Sequence, residues 1–139
     1  MSRLSPKTLT IGPKKKNQEL RVERRQRIVA RLTLTPIEID ALGDVTGVSL
    51  LHLQCHFGLD TLSWARRGAE VTGVDFSARA IEFARALARE LALPARFVQS
   101  DIYDLPAALQ EEFDVVFTSY GVVYWLPDLP RWAAVAARL

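Results

Sequence analysis

A single cysteine in 139 residues excludes two kinds of architecture: no intrachain disulfide can close, and no zinc site built on several thiolates can form. That usage fits a protein of the reducing cytoplasm. Long hydrophobic runs are missing as well. The longest uncharged apolar stretch, residues 47–59, contains two histidines and falls short of the roughly 18 residues that a membrane-spanning helix needs. A secretory signal is excluded by the same shortage, because the N-terminal stretch has no apolar core. Its first 18 residues carry no acid and bear only a loose likeness to an organellar transit peptide.

What is present is the composition of a folded globular protein. Apolar residues make up 49% and charged residues 24%, which argues against disorder, collagen and coiled coil. The length suits one domain. The formal net charge of +2 conceals an asymmetry: residues 1–31 hold ten Lys/Arg against Glu19 and Glu23, a net of +8, and residues 32–139 carry a net of −6. Clustered Lys and Arg can neutralise phosphates and release counterions, so a nucleic-acid or anionic-surface contact is one reading of this arm. The simpler reading is a solvated leader.

Residues 1–16, with Pro6, Gly12, Pro13 and three consecutive lysines, have no apolar period and read as a flexible stretch. From Asn17, the spacing of Leu20, Ile28 and Leu32 predicts a short helix. The sequence Thr35-Pro36-Ile37-Glu38 predicts a helix start, with a Thr cap, Pro in the first turn and a Glu reaching back to the cap amide; Gly43 ends it. Beyond this point strand and helix alternate. Strands are expected at 48–53, 70–74, 95–99 and 113–119. Helices are expected at 60–67, stopped by Gly68, at 78–91 behind a Ser77 cap, and after Asp128. The fourth strand is apolar at Val115, Val116 and Phe117, the pattern of an interior parallel strand covered on both faces. Alternation of this kind predicts an α/β, Rossmann-like doubly wound parallel sheet, in which ligands bind at the carboxyl ends of the strands.

The chemistry-bearing residues stand at those ends. After the first strand comes His52-Leu53-Gln54-Cys55-His56-Phe57-Gly58, where a nucleotide loop normally uses glycines and only Gly58 fits. After the second comes Asp75, placed to accept both hydroxyls of a ribose. After the third comes Ser100-Asp101-Ile102, and after the fourth Ser119-Tyr120-Gly121. Asp101 can accept an adenine amino proton, with Phe76 and Ile102 offering surface to the base. Asp75 can also be a helix cap, and Asp101 a turn residue before Asp104 and Pro106.

Four segments in order resemble the class I S-adenosylmethionine-dependent methyltransferases over residues 48–132: the 50–58 loop, Val74-Asp75-Phe76-Ser77, Gln99-Ser100-Asp101-Ile102 and Phe113-Asp114-Val115-Val116. The resemblance implies S-adenosylmethionine as cofactor and methyl transfer to an acceptor, a small molecule ahead of nucleic acid. It implies ribose binding by Asp75, adenine contacts from Phe76, Asp101 and Ile102, and a methionine pocket formed by the loop from Gln54 through Cys55 to Gly58. Ser119 and Tyr120 would lie beside the transferred methyl. No dedicated catalytic residue is implied, because in-line displacement needs mainly alignment and a dry site.

The sequence departs from the family pattern at three positions. His52 stands where an acid is usual, and Gln54 and His56 stand where glycines are usual. Family domains have seven strands and four are expected here, which reads as a cofactor-binding part, 32–139, truncated after the fourth strand. That strand would be an open apolar edge, available for self-association. Two rival readings stay open: a non-catalytic cofactor-binding remnant, and a nicotinamide-dependent oxidoreductase, which Gln54 and His56 disfavour by obstructing a pyrophosphate turn. A metal site at His52, Cys55, His56 and Asp60 is not expected, since no second segment supplies Cys or His to close it. Tyr120, Tyr124, Trp125 and Trp132 serve equally as acceptor contacts or as cover for the sheet.

Overall fold

In the computed structural model, which describes residues 12–30 and 33–139, the alternating pattern becomes a single parallel sheet. Strands β1 (Ser49–Leu53), β2 (Glu70–Asp75), β3 (Ala95–Gln99) and β4 (Val115–Thr118) pair in the order β3-β2-β1-β4, all parallel. The chain steps outward from β1 through β2 to β3, then returns past β1 to place β4 on its other side. The reversal lies between β1 and β4, so the ligand-binding crevice belongs at the carboxyl ends on either side of β1.

Side-chain alternation along the strands builds two apolar layers. Leu50, Val71, Phe97 and Phe117 face helices α3 (Leu59–Arg66) and α4 (Ala78–Glu90), together with buried Trp64, Ile81, Ala84 and Leu87. Leu51, Leu53 and Val74 face the opposite way, toward α5 (Leu105–Ala108) and α6 (Leu129–Arg138), where Leu105, Leu109 and Val135 complete the layer. Helices on both faces make the sheet doubly wound, as expected. Ser77 caps α4 by accepting from the Ala80 amide at 3.2 Å, and Asp128 caps α6 by accepting from the Arg131 amide at 3.0 Å.

Helix α2 (Pro36–Leu42) starts where its sequence says. Glu38 Oε2 accepts from the Thr35 amide at 2.6 Å, and Gly43 closes the end with φ +64°. Leu34 and Val45, on either side of α2, are buried against Trp64, Leu50 and Phe117, so this segment straps the N-terminal part of the domain across α3 toward β4.

Two expectations need correction. Helix α1 spans Pro13–Ala30, so residues 13–16 are helical and not part of a flexible stretch; Pro13 sits where its missing N–H costs nothing. The predicted contribution of Leu32, and the side chain of Ile28, lie outside the described residues. Leu20, one of the apolar positions that predicted the helix, is exposed. The turn at Asp104 and Pro106 continues into the short helix α5, and Val122–Trp125 form a 3-10 helix, η1. Strand β4 is an edge strand among the described residues, as expected of the fourth strand, but its apolar run is not covered on both faces: it is only half-buried except at Phe117. Asp114 ties its start to β1, accepting from both the amide and the hydroxyl of Ser49 at 2.9 Å, bonds that hold its carboxyl below the ordinary carboxylate range.

Candidate functional site

The carboxyl ends of the strands meet in a cleft of about 360 Å³, lined by Gln54 from the loop after β1, Asp75 and Phe76 after β2, Ser100 to Tyr103 after β3, and Val122 with Trp125 to Pro127 beyond β4. Five of the eight candidate cofactor residues converge here: Gln54, Asp75, Phe76, Asp101 and Ile102.

Asp75 is the polar anchor of the cleft. It is only 6% exposed, and a buried carboxylate demands donors. Oδ2 accepts from the His56 amide and Oδ1 from the Ser77 amide, both at 2.9 Å. The acid therefore ties the β1 loop to the start of α4, and each oxygen keeps a lone pair for a ligand hydroxyl. Across the cleft Phe76 is 74% exposed while Ile102 is buried, so one wall is a free aromatic face and the other a packed aliphatic one. Asp101 is exposed, and its Oδ1 accepts from the Tyr103 amide at 2.8 Å, closing a tight turn.

The loop after β1 keeps a glycine-like backbone with little glycine. Gln54 and His56 both adopt left-handed φ angles, +54° and +51°, which cost an L-residue roughly 1 kcal/mol each. Gln54 is held there by the Trp132 indole, which donates to its Oε1 at 3.2 Å; His56 is held by the amide bond to Asp75. Gly58 shares the left-handed backbone, at φ +74°, and meets a steric demand besides. A Cβ there would lie 2.7 Å from the Phe97 ring and 2.9 Å from Ala84 Cβ, so the glycine admits Phe97 beneath the loop. Cys55 points the same way, buried with Leu62, Ile81 and Phe97, and burial, reinforced by the Asp75 charge, pushes its thiol up to about 12.

Ser119 lies outside the cleft lining and meets His52 instead. The buried imidazole places Nδ1 2.7 Å from Thr61 Oγ1 and Nε2 3.4 Å from Ser119 Oγ, with its ring edge-on to Phe117 at 4.9 Å. Burial lowers His52 to about 3, so the ring is neutral, donating at one nitrogen and accepting at the other. Among the described residues no three His, Cys, Asp or Glu side chains are grouped to hold a metal ion, and no helix is long and apolar enough to cross a membrane.

Sequence reasoning missed part of the cleft wall. Tyr103 fixes the segment beyond β4 by donating its hydroxyl to the Asp128 carbonyl at 3.1 Å and accepting from the Asp128 amide at 3.0 Å, while Arg131 lies 4.7 Å over its ring. This brings Leu126 and Pro127 against the cavity, and no local sequence signal announces a contact between residues 25 positions apart.

A parallel sheet with an acid at the end of β2 and a cleft across its strand ends defines the Rossmann-like class. Within that class, residues 50–139 match the family model described as "Methyltransferase domain". Among curated proteins, a ubiquinone biosynthesis O-methyltransferase from Alkalilimnicola ehrlichii is 33% identical over 110 residues, 76% of this chain and 44% of that protein. A magnesium-protoporphyrin O-methyltransferase from Rhodobacter capsulatus is 38% identical over 90 residues, 63% of this chain and 39% of that protein. Among solved structures, magnesium protoporphyrin IX methyltransferase from Synechocystis with bound S-adenosylhomocysteine superimposes with a TM-score of 0.62 at 19% identity, over 94% of this chain and 57% of that one; the likeness is one of fold. The chain belongs to the class I S-adenosylmethionine-dependent methyltransferase family. It spans less than half the length of the two curated relatives named.

Proposed function

We propose that the cleft binds S-adenosylmethionine and that the protein transfers its methyl group to a hydroxyl oxygen of a small molecule. The observation that carries this reading is the buried Asp75 carboxylate facing a cavity whose other walls are Phe76, Asp101 and Ile102. Sheet order supplies the direction. With adenine over the end of β3 and ribose over β2, the methionine part runs toward β1 and its loop, which turns the sulfonium toward β4. The acceptor then approaches from the β4 side, past Ser119 and Tyr120. The loop from Gln54 through Cys55 to Gly58 holds the methionine by backbone groups, since Cys55 is turned into the core and Gly58 is packed on Phe97.

The chemistry asks little of side chains. As the C–O bond forms, the methyl–sulfur bond breaks with its electron pair left on a neutral thioether, S-adenosylhomocysteine, and the hydroxyl proton is released to bulk solvent. So good a leaving group leaves the protein to align the acceptor oxygen with the methyl–sulfur bond and to shield the reacting atoms from water. Two relatives named as O-methyltransferases of ubiquinone biosynthesis and of magnesium-protoporphyrin support oxygen and a small molecule over nucleic acid. The lone reduced thiol supports a cytoplasmic setting. Calorimetric titration of S-adenosylmethionine and S-adenosylhomocysteine into the folded chain tests the reading: saturable heat is expected, and its absence for both ligands would sink it.

A further inference from the structure

We propose that Tyr120 is the anchor that receives the hydrogen bond of the reacting hydroxyl, and that Thr35 and Glu38 set the direction of its own proton. The proposal rests on the O-methyl-transfer reading above, and it follows from a chain of three polar groups joining the N-terminal strap to the end of β4. Tyr120 Oη lies 3.1 Å from Thr35 Oγ1, and Thr35 Oγ1 lies 3.0 Å from Glu38 Oε2.

Either hydroxyl of the first pair can donate if that pair is considered alone. The carboxylate decides between them. Threonine has one O–H proton and a carboxylate only accepts, so the Thr35 proton belongs on Glu38, where the bond is charge-assisted. Turned toward Tyr120, it would leave two oxygens facing each other lone pair to lone pair at 3.0 Å. Thr35 therefore accepts from Tyr120, and the tyrosine's only proton is committed inward. With 67% of its surface exposed, Tyr120 presents lone pairs outward and no donor. Such a group binds an alcohol or phenol and gains nothing from an ether. Because O-methylation turns the first into the second, the bond is made with the substrate and lost with the product.

The placement suits that role. Tyr120 follows Ser119 at the end of β4, the side toward which sheet order directs the sulfonium, and the Thr35 strap is held down independently by Leu34 in the core. Thr35 and Glu38 are positioning residues, acting through Tyr120.

The experiment uses the full chain, with catechol as hydroxyl-bearing probe and 1,2-dimethoxybenzene as its donor-free counterpart. Binding of each is measured by calorimetry with and without S-adenosylhomocysteine. The wild-type protein is expected to favour catechol by about fivefold, the scale of one net hydrogen bond. Tyr120→Phe and Glu38→Ala should erase the preference, and Thr35→Ser should keep it. A preference absent from the wild type, undiminished in Tyr120→Phe, or lost in Thr35→Ser overturns the proposal. S-adenosylhomocysteine titrated into the same samples separates the two readings. If it gives no heat while the preference still follows Tyr120, the cofactor reading fails and the anchor stands. If it binds every variant alike while the preference ignores Tyr120, the anchor fails and the cofactor reading stands.

Discussion

Strands β1 and β4 lie side by side, yet their surroundings differ in every respect that matters to stability. From Leu50 to Leu53 every residue of β1 is buried, with a hydrogen-bonded neighbour on each side. In β4, which has β1 alone as neighbour among the described residues, only Phe117 is buried. Beyond it the chain enters a segment in which Tyr120, Tyr124 and Trp125 are 67%, 89% and 86% exposed. The strand that leads into the Gln54–Gly58 loop is thus paired and covered on both sides, while the strand that leads to Ser119 and Tyr120 is paired on one. The loop after β1 is therefore placed by the core, and the segment after β4 by surface contacts such as the one between Tyr120 and Thr35.

Leu51→Ala in β1 should cost about 2–5 kcal/mol in urea unfolding, and Val116→Ala, aligned beside it in β4, clearly less. Equal costs would erase the distinction. Asp75→Ala should lose about 1–3 kcal/mol of S-adenosylhomocysteine affinity by calorimetry, since charge-assisted bonds are removed. Asp101→Ala, exposed and engaged in a local turn, should lose less.

Acid adds a third test through β1. His52 is neutral in the folded protein, lowered to about 3 by burial, whereas an unfolded histidine titrates near 6.5. Between those values the unfolded chain binds the extra proton, so stability is full above about pH 6.5 and falls as the pH drops. At pH 5 the loss from this one group is about 2 kcal/mol, read as the difference in unfolding free energy between pH 7.5 and pH 5. The same comparison on His52→Asn should lack that component. Smallest of all, Tyr124→Ala should shift stability by less than about 0.5 kcal/mol, and a larger loss would mean that the segment beyond β4 is less open than its exposure implies.

Local signals made much of this legible from sequence. Thr35 with Glu38, Ser77 and Asp128 each announced a helix start because a cap bonds within three residues. The β-branched and leucine runs announced the strands, and their alternation with helices announced the parallel sheet. Asp75 was legible because its place follows from strand order. What escaped depends on distant pairs. The apolar run of β4 fits an interior or an edge strand, and neighbours elsewhere in the chain decide which. Tyr103 reaches Asp128, Trp132 reaches Gln54, and Tyr120 reaches Thr35 across 85 residues; none of these has a spacing that a local pattern can encode. The left-handed conformations of Gln54 and His56 likewise come from their partners, against the preference of their own side chains.

Cys55 gives the loop after β1 a built-in clock. It is the only cysteine of the chain, it lies beside His56 whose amide holds Asp75, and its thiol is buried and raised to about 12. A thiol reagent needs both access and thiolate, so in the native protein it reacts only when the loop opens. The rate of that single labelling event measures how often the loop between β1 and α3 leaves its place, and a ligand that closes the cleft over Asp75 will slow it.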